Sequence, residues 1–204
     1  MPNFIKTILF SIQSCKKWIL TIFVSYCTSC LIGIIMVHAG NSLALSYSDN
    51  IVGHATINDN ASINYKKGNR FKAVFIDFSG NLFLGSIPQS AMGLGIIFPF
   101  FTTAYQGWIA GIVSVDNSHQ SRLKKTKSAL YYFIVVLLQF MPYSLTIGAG
   151  LALGVKTYKL NKSRKLVEYR LDESGVKDLL NIYLLAIPMF FIASFFEFFS
   201  NWNI

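Results

Sequence analysis

Four long apolar runs, separated by short polar or basic stretches, are the feature that most constrains this chain. They cover residues 18–39, 71–115, 129–155 and 179–196. One helical crossing of a hydrocarbon layer takes about 20 apolar residues. Only 13% of the residues are charged, against about 25% in typical soluble domains. The sequence therefore predicts an all-α, polytopic membrane helix bundle with about four or five membrane segments, some of them broken or re-entrant.

The chain is basic, with a net charge of +9, and a basic balance can indicate a nucleic-acid partner. Here, however, the Lys and Arg residues are confined to the stretches between apolar runs, as in the short cytoplasmic loops of membrane proteins. Anionic lipid headgroups are therefore the predicted partner of these stretches, and no nucleic acid is expected. Five aromatic residues are expected to anchor the protein at the membrane interfaces, namely Trp18, Trp108, Tyr131, Tyr132 and Trp202.

Residues 1–40 are predicted to form a cytoplasmic N-terminus and a first transmembrane helix. Lys6, Lys16 and Lys17 precede the apolar run, as the positive-inside bias requires. A cleaved signal peptide is the alternative, because residues 37–39 carry small side chains at the spacing that signal peptidase needs. The apolar run is longer than the core of about 7–15 residues in a signal peptide, so a retained helix is favoured.

Residues 41–70 differ from their neighbours because Asn, Ser, Asp and Gly are frequent there. This composition predicts a non-cytoplasmic loop of modest size. Residues 51–65 alternate weakly between polar and apolar side chains, so a short hairpin and a segment lying on the membrane surface are both open interpretations.

The central block, residues 71–115, is about twice as long as one crossing, but glycine, asparagine and proline interrupt it. The interruptions fall at 80–81, 85–89 and 93–95. They predict broken helices, whose free backbone groups must be covered by protein or line a water-filled cavity. Gly107 and Gly111 are one helical turn apart and would let a second helix approach closely.

The third run, residues 129–155, lies between two basic stretches at 122–127 and 156–177. A single crossing would place one of these stretches outside, against the positive-inside bias. The bias therefore favours a re-entrant hairpin folded at 141–142, with five full crossings as the alternative. Residues 166–178 mix apolar side chains with both charge signs, which predicts an amphipathic interfacial helix or, equally, a solvated helix leading into the last crossing.

Asp77 and Glu197 are the acidic residues that fall at membrane depth in this arrangement. Intramembrane ionisable groups are costly, so each is a functional candidate, although Asp77 could instead cap a helix or lie at the interface. Asn81 and Gln139 are the corresponding uncharged candidates. Broken helices with polar residues near mid-membrane are typical of transporter substrate sites, and helix packing through amide side chains is the alternative.

No catalytic, metal or cofactor motif accompanies these candidates. The three histidines fall at loops or helix ends, and the chain has no glycine-rich phosphate loop ending in Lys-Ser or Lys-Thr. Cys27 and Cys30 have redox or metal spacing but lie within an apolar run without a second pair, which favours two small residues on a helix face. The sequence predicts a protein that is not an enzyme and has no cofactor, so any ATP-driven process would need an ATPase on another subunit.

Over about residues 71–200 the chain resembles the stage II sporulation protein M family of bacterial and archaeal membrane proteins. The likeness rests on a shared order of glycine-, proline- and acid-containing segments: 75–81, Pro99, Gly107 and Gly111, Met141 and Pro142, the small-residue run with Gly148, Gly150 and Gly154, and the last run from 182–188 to 193–197. The resemblance implies that 71–204 form one membrane domain in which these five glycines are helix-packing positions. Many members carry a His and a Glu before the small-residue run, where this chain has Gln139.

The resemblance implies a non-enzymatic membrane component. In sporulating bacteria such a protein is expected to be the scaffold of a peptidoglycan-remodelling complex that recruits cell-wall hydrolases. The alternative is a membrane subunit of an ATP-binding-cassette-type exporter or immunity system, because relatives occur beside such subunits in bacteriocin gene clusters. The expected partners are other membrane or envelope proteins, including wall hydrolases or an ATPase subunit, and the expected location is the cell membrane.

Overall fold

The computed structural model describes residues 2–116, 118–164 and 170–200, except for the side chains of 2, 3, 54–58, 163 and 164. In chain order the helices are α1 (Pro2–His38), α2 (Ser42–Asn58), α3 (Asn60–Lys66), α4 (Arg70–Ser79), a π-helical stretch (Gly80–Ser86), α5 (Ile87–Met92), a 3-10 turn (Gly93–Gly95), α6 (Phe98–Ile112), α7 (Thr126–Arg164) and α8 (Glu173–Phe199). The predicted all-α class is confirmed.

Three of these helices are long and apolar enough to cross a membrane. The spans are Phe4–His38, Thr126–Lys162 and Glu173–Phe199, in α1, α7 and α8. Large apolar side chains such as Val24 and Phe191 lie on their outward faces, where a soluble protein would carry mostly polar groups. Both the sequence and the structure therefore support a membrane protein.

The three long helices alternate in direction, so each end of the bundle contains parts of all three. At the end where α1 begins, here called the amino end, Lys156 of α7 pairs with Asp178 of α8 at 2.7 Å. Ser14 of α1 donates to the same carboxylate at 2.8 Å. At the opposite end, the hydroxyl of Tyr131 in α7 donates to the backbone carbonyl of Glu197 in α8.

The central block forms a hairpin that enters the bundle from the opposite end and returns to it. The first arm contains α4, the π-helical stretch and α5, and the second arm is α6. The chain reverses at the predicted break, through the 3-10 turn and Ile96, which has a φ of 56°. The tip of the hairpin lies against α7 at Gly150 and Gly154, close to the amino end. Pro99 follows in the first turn of α6, where a missing N–H costs little.

The expectation of a hairpin at 141–142 is wrong, because α7 is one continuous helix. Pro142 lies inside it. Proline removes one backbone hydrogen bond, but membrane helices tolerate it where neighbouring groups satisfy the freed backbone. The basic stretches 122–127 and 156–164 consequently lie at opposite ends of the bundle, which is the arrangement that the charge bias disfavoured.

The segment 41–70 contains two helices, where the composition predicted a loop or a hairpin. Asn41 caps α2 by accepting a hydrogen bond from the Ala44 amide at 3.0 Å, and Asp59 caps α3. The two helices exclude the short hairpin that was one interpretation of residues 51–65, because the polar residues of this segment serve as helix caps. The hydroxyl of Ser48 donates to the Ile112 carbonyl at 3.1 Å, so α2 lies against the end of α6.

The predicted interfacial helix at 166–178 lies partly outside the described residues. Within them, α8 begins at Glu173 and continues without a break into the apolar run. Asp172 caps it by accepting a hydrogen bond from the Gly175 amide at 2.7 Å.

Glycines bring α6 into backbone contact with α1. A Cβ atom at Gly107 would lie 2.5 Å from the Tyr26 carbonyl oxygen, and one at Gly111 would meet the Cys30 carbonyl. Thr103 is buried one turn before Gly107. One face of α6 is therefore a row of small residues packed directly on α1.

The small-residue run of α7 makes equally close contacts on several sides. A Cβ at Gly148 would lie 2.5 Å from the Cα of Ile19 in α1. Side chains at Gly150 and Gly154 would meet the backbone of the hairpin at Ser90 and Gly93. These contacts hold the hairpin tip against α7.

Candidate functional site

A cavity of about 460 Å³ lies between α6 and α7, in the half of the bundle towards the opposite end. Its wall includes charged and amide side chains, and these are Asn81, Gln106, Arg122, Gln139 and Glu197. Aromatic rings form much of the remainder, and these are Tyr26, Tyr131, Tyr132, Phe140 and Tyr143. The space is therefore both polar and aromatic, although the helices around it carry apolar outer faces.

Two hydroxyl groups hold the walls of this cavity in position. Tyr26 of α1 donates to the side-chain oxygen of Gln106 in α6 at 2.5 Å, and its ring stacks on Phe140 with centroids 4.6 Å apart. Tyr132 of α7 donates to the Ala110 carbonyl at 2.5 Å. The second hydrogen bond spans the gap between α7 and α6, so the rings are fixed at a distance that keeps the two helices apart.

The carboxylate of Glu197 lines the cavity from α8. The side-chain nitrogen of Gln139 donates to its Oε2 at 2.8 Å. Among the described residues, no Lys or Arg forms an ion pair with it. Within the described part of the chain, Glu197 therefore has a neutral hydrogen-bond donor but no counter-ion.

Asp77 and Asn81 form a second polar pair beside the first. Asp77 accepts hydrogen bonds from Ser194 of α8 at 2.6 Å and from the Asn81 amide at 3.0 Å. The hydroxyl of Tyr143 donates to the side-chain oxygen of Asn81 at 2.9 Å. Asn81 lies in the π-helical stretch, and π-helical insertions occur frequently at functional sites.

A second cavity, of about 740 Å³, lies on the other side of the Asp77 and Asn81 pair. Its lining includes Asp59 and Lys72, together with Asp77 and Asn81. Asn81 lines both cavities. The π-helical stretch that contains Asn81 therefore lies between them.

The structure brings the four polar candidates of the sequence close together as two neighbouring hydrogen-bonded pairs. These pairs are Asp77 with Asn81 and Gln139 with Glu197. Gln139 lies one turn before the tyrosine that contacts Asn81, and Glu197 lies one turn after the serine that contacts Asp77. Residues three or four apart on a helix are neighbours on its surface. The two hydrogen-bonded pairs are therefore adjacent across α7 and α8.

Sequence reasoning missed most of the aromatic wall. Tyr131 and Tyr132 were expected at the membrane interface, yet both line the cavity. The signal that could have identified them is the helical spacing of Tyr132, Val136, Gln139 and Tyr143, which places polar and aromatic residues on one face of α7. Trp202, another expected anchor, lies outside the described residues.

Cys27 and Cys30 lie on α1, where Cys30 is buried and Cys27 half-buried. The Sγ of Cys30 is 3.9 Å from the Tyr132 hydroxyl. In the part of the chain that the structure describes, no three His, Cys, Asp or Glu side chains are grouped so that they could hold a metal ion. The geometry thus draws attention to the cavity rather than to the cysteine pair.

No protein-family model matches this chain, and neither a curated protein nor a solved structure does. The resemblance to the stage II sporulation protein M family therefore stays a prediction, and the functional argument depends on the geometry of the cavity.

Proposed function

We propose that this chain is a non-enzymatic, multi-pass membrane subunit that binds a small solute in the cavity between α6 and α7 and moves it across the membrane, as in an exporter or immunity system. The observation that carries this proposal is the polar and aromatic cavity beside a broken helix. Discontinuous helices that present polar groups near mid-membrane form the substrate sites of many transporters. The volume of about 460 Å³ also lies within the range of about 300–1,000 Å³ that is usual for small-molecule sites.

The proposed topology has five traversals, with the amino end in the cytoplasm. They are α1, the two arms of the hairpin, α7 and α8. By sequence, ten of the 18 Lys and Arg residues belong to the amino end and eight to the opposite end. This surplus is small but has the sign that the positive-inside bias requires. The cavity would then lie towards the non-cytoplasmic side.

A sided cysteine-labelling experiment tests the transport proposal. Val136 lines the cavity, whereas Leu137 beside it is 46% exposed on the outer face of α7. In a background without the three native cysteines, Val136→Cys should react with a charged, water-soluble methanethiosulfonate. Leu137→Cys is the matched control and should not react, because it faces lipid.

Labelling of Val136→Cys from both sides of oriented vesicles would support alternating access and hence transport. Labelling from one side alone would indicate a binding pocket without a transport cycle. Failure of both variants to react would show that water does not enter the cavity, which contradicts the proposal.

A second proposal is the scaffold role implied by the resemblance. The observation that favours it is the length of α1 and α7, which contain 37 and 39 residues. Helices of this length measure about 55–58 Å, whereas the hydrocarbon layer is about 30 Å thick. Both helices therefore extend well beyond the apolar layer, and the basic residues near their ends at the amino end, Lys6 of α1 and Lys159 and Lys162 of α7, could contact partner proteins or lipid headgroups.

A pull-down from gently solubilised native membranes separates the two proposals. Recovery of wall hydrolases or other envelope proteins would support the scaffold. Recovery of a nucleotide-binding subunit would support transport, because the chain has no phosphate-binding loop of its own.

A further inference from the structure

Glu197 places a carboxyl group in the cavity wall, and no basic side chain among the described residues pairs with it. Gln139 donates one hydrogen bond to it, but an amide supplies no positive charge. A carboxylate held away from bulk water without a counter-ion is costly. The cavity is therefore electrostatically suited to one positive charge.

The position of Glu197 along α8 adds to this attraction. It lies in the last turn of the helix, where the unpaired backbone carbonyls carry partial negative charge. That turn contains no basic residue. An acidic residue is unfavourable at this end of a helix, so a bound cation would stabilise both the carboxylate and the helix end.

The size and walls of the cavity indicate an organic molecule. A space of about 460 Å³ far exceeds the roughly 30 Å³ that a water molecule occupies. Aromatic faces attract organic cations through their ring electrons. Hydrogen bonds from Tyr132 to Ala110 and from Tyr143 to Asn81 hold two of the rings in position, which lowers the ordering cost of binding.

Arg122 is the one Lys or Arg among the lining residues of this cavity. It belongs to the connection between α6 and α7, and its Nε donates to the Val115 carbonyl at 3.2 Å. It forms no ion pair with Glu197, so Glu197 is available to pair with a bound cation.

We propose that the cavity binds a small organic cation with aromatic or other apolar substituents, and that Glu197 is its counter-ion. This inference rests on the proposed function and names its substrate class. The natural ligand would carry either an ammonium group or a delocalised positive charge. This charge would lie against the aromatic rings of the cavity wall, beside Glu197.

The test uses tetraphenylphosphonium as the probe and tetraphenylborate as a control of nearly the same shape and opposite charge. Binding to the purified full-length protein in mild detergent is measured by equilibrium dialysis. We expect saturable binding of the phosphonium, weakened about tenfold or more in Glu197→Gln because the counter-ion is lost. Glu173→Gln, the same change at the exposed start of α8, should bind as the wild type does.

A second variant keeps the proposal testable if Glu197→Gln does not fold. Val135 also lines the cavity, so Val135→Phe adds a ring there without altering any charge and should also reduce phosphonium binding. No phosphonium binding by the folded wild type, equal binding by the Glu197→Gln variant, or preferential binding of tetraphenylborate would each overturn the proposal.

Flux of the phosphonium into proteoliposomes is measured separately. Glu197-dependent binding without flux would contradict the transport function while leaving the cation site intact. Labelling of Val136→Cys from both sides without any phosphonium binding would instead support transport and contradict the cation site.

Discussion

The two halves of α7 have opposite surroundings. Every residue from 146 to 154 is buried, because α1, the hairpin tip and α8 pack closely around this half. The half from 128 to 143 instead contributes eight residues to the cavity wall, among them Tyr132, Val136 and Gln139. One helix is therefore a packed core near the amino end and a cavity wall near the opposite end.

The difference follows from side-chain size. Glycine and alanine let helix backbones touch, which gives close van der Waals packing where lipid supplies no hydrophobic driving force. Tyrosine and phenylalanine hold neighbouring helices apart. In α7 the small residues come after Pro142 and the large aromatic residues mostly before it, so packed core and cavity are separated along one helix.

The largest expected loss of stability comes from a substitution in the packed half of α7, residues 146–154. Gly150→Val should destabilise the protein by about 1–3 kcal/mol or more, because its side chain would overlap the Ser90 backbone and overpacked cores must shift. Thermal unfolding in mild detergent, followed by circular dichroism, measures the loss. Gly53→Ala is the control, because a Cβ at Gly53 meets nothing within 4 Å. Similar unfolding temperatures for the two variants would contradict the close-packing argument.

The second-largest loss of stability is expected from breaking the ion pair between Lys156 and Asp178 at the amino end. Lys156→Met would leave Asp178, whose side chain is 9% exposed, without its cation. Breaking a buried pair costs about 3–5 kcal/mol, and the partial exposure of Lys156 lowers the expected loss to about 2 kcal/mol. The exposed pair of His119 and Asp49 provides the comparison.

Asp49→Asn should change the free energy of unfolding by less than about 0.5 kcal/mol, because solvent screens exposed ion pairs. Chemical denaturation of both variants in the same detergent gives the two values. An equal loss in both would show that burial does not strengthen the pair at the amino end.

A smaller effect is expected in the cavity half. Val135→Phe adds volume to α7, as Gly150→Val does, but its ring enters the space between α7 and α6. We expect a loss of less than about 1 kcal/mol, because no packed backbone has to move. The same unfolding measurement applies. A loss as large as that of Gly150→Val would mean that the cavity half is packed as tightly as the other half.

The smallest effect lies in the connection between α6 and α7, outside the membrane spans. Amide groups of Gln120 and Ser118 donate to Asp116 at 2.8 and 2.9 Å, and these hydrogen bonds, that of Gln120 first, hold the pKa of its carboxyl below the ordinary value. Its stabilising contribution is therefore present above a pH of about 3.9 and is lost as the pH falls through the lowered pKa. The chemical shift of the Gln120 backbone amide, followed by NMR during acid titration, should change with a midpoint below the ordinary aspartate pKa of about 3.9, and Asp116→Asn should abolish this change.

Local pattern was sufficient for the long helices but not for every break. The apolar runs predicted the transmembrane parts of α1 and α8, and the glycines at 93–95 predicted a break in the central block, which is where the structure has the turn of the hairpin. The expected break at Pro142 was wrong because a membrane helix can continue through a proline when the helices packed around it compensate for the missing hydrogen bond. That packing comes from segments that are distant in sequence, so the local pattern does not show it.

The candidate site shows the same division. Because polar groups are costly within an apolar run, the sequence identified Asp77, Asn81, Gln139 and Glu197 as separate candidates. Their pairing could not be predicted, because Gln139 meets Glu197 across 58 positions of the chain. The aromatic wall was missed because a tyrosine near the end of an apolar run is equally suited to a membrane interface.

By itself, the sequence determined the all-helical class, the long apolar segments and the residues whose polarity is costly there, because these depend on composition and spacing within one segment. Tertiary structure alone decided that α7 is continuous, that the central block is the hairpin, and that Asn81, Gln139 and Glu197 share one cavity. These features depend on contacts between distant segments, and the size of the side chains at each contact sets how closely the helices approach.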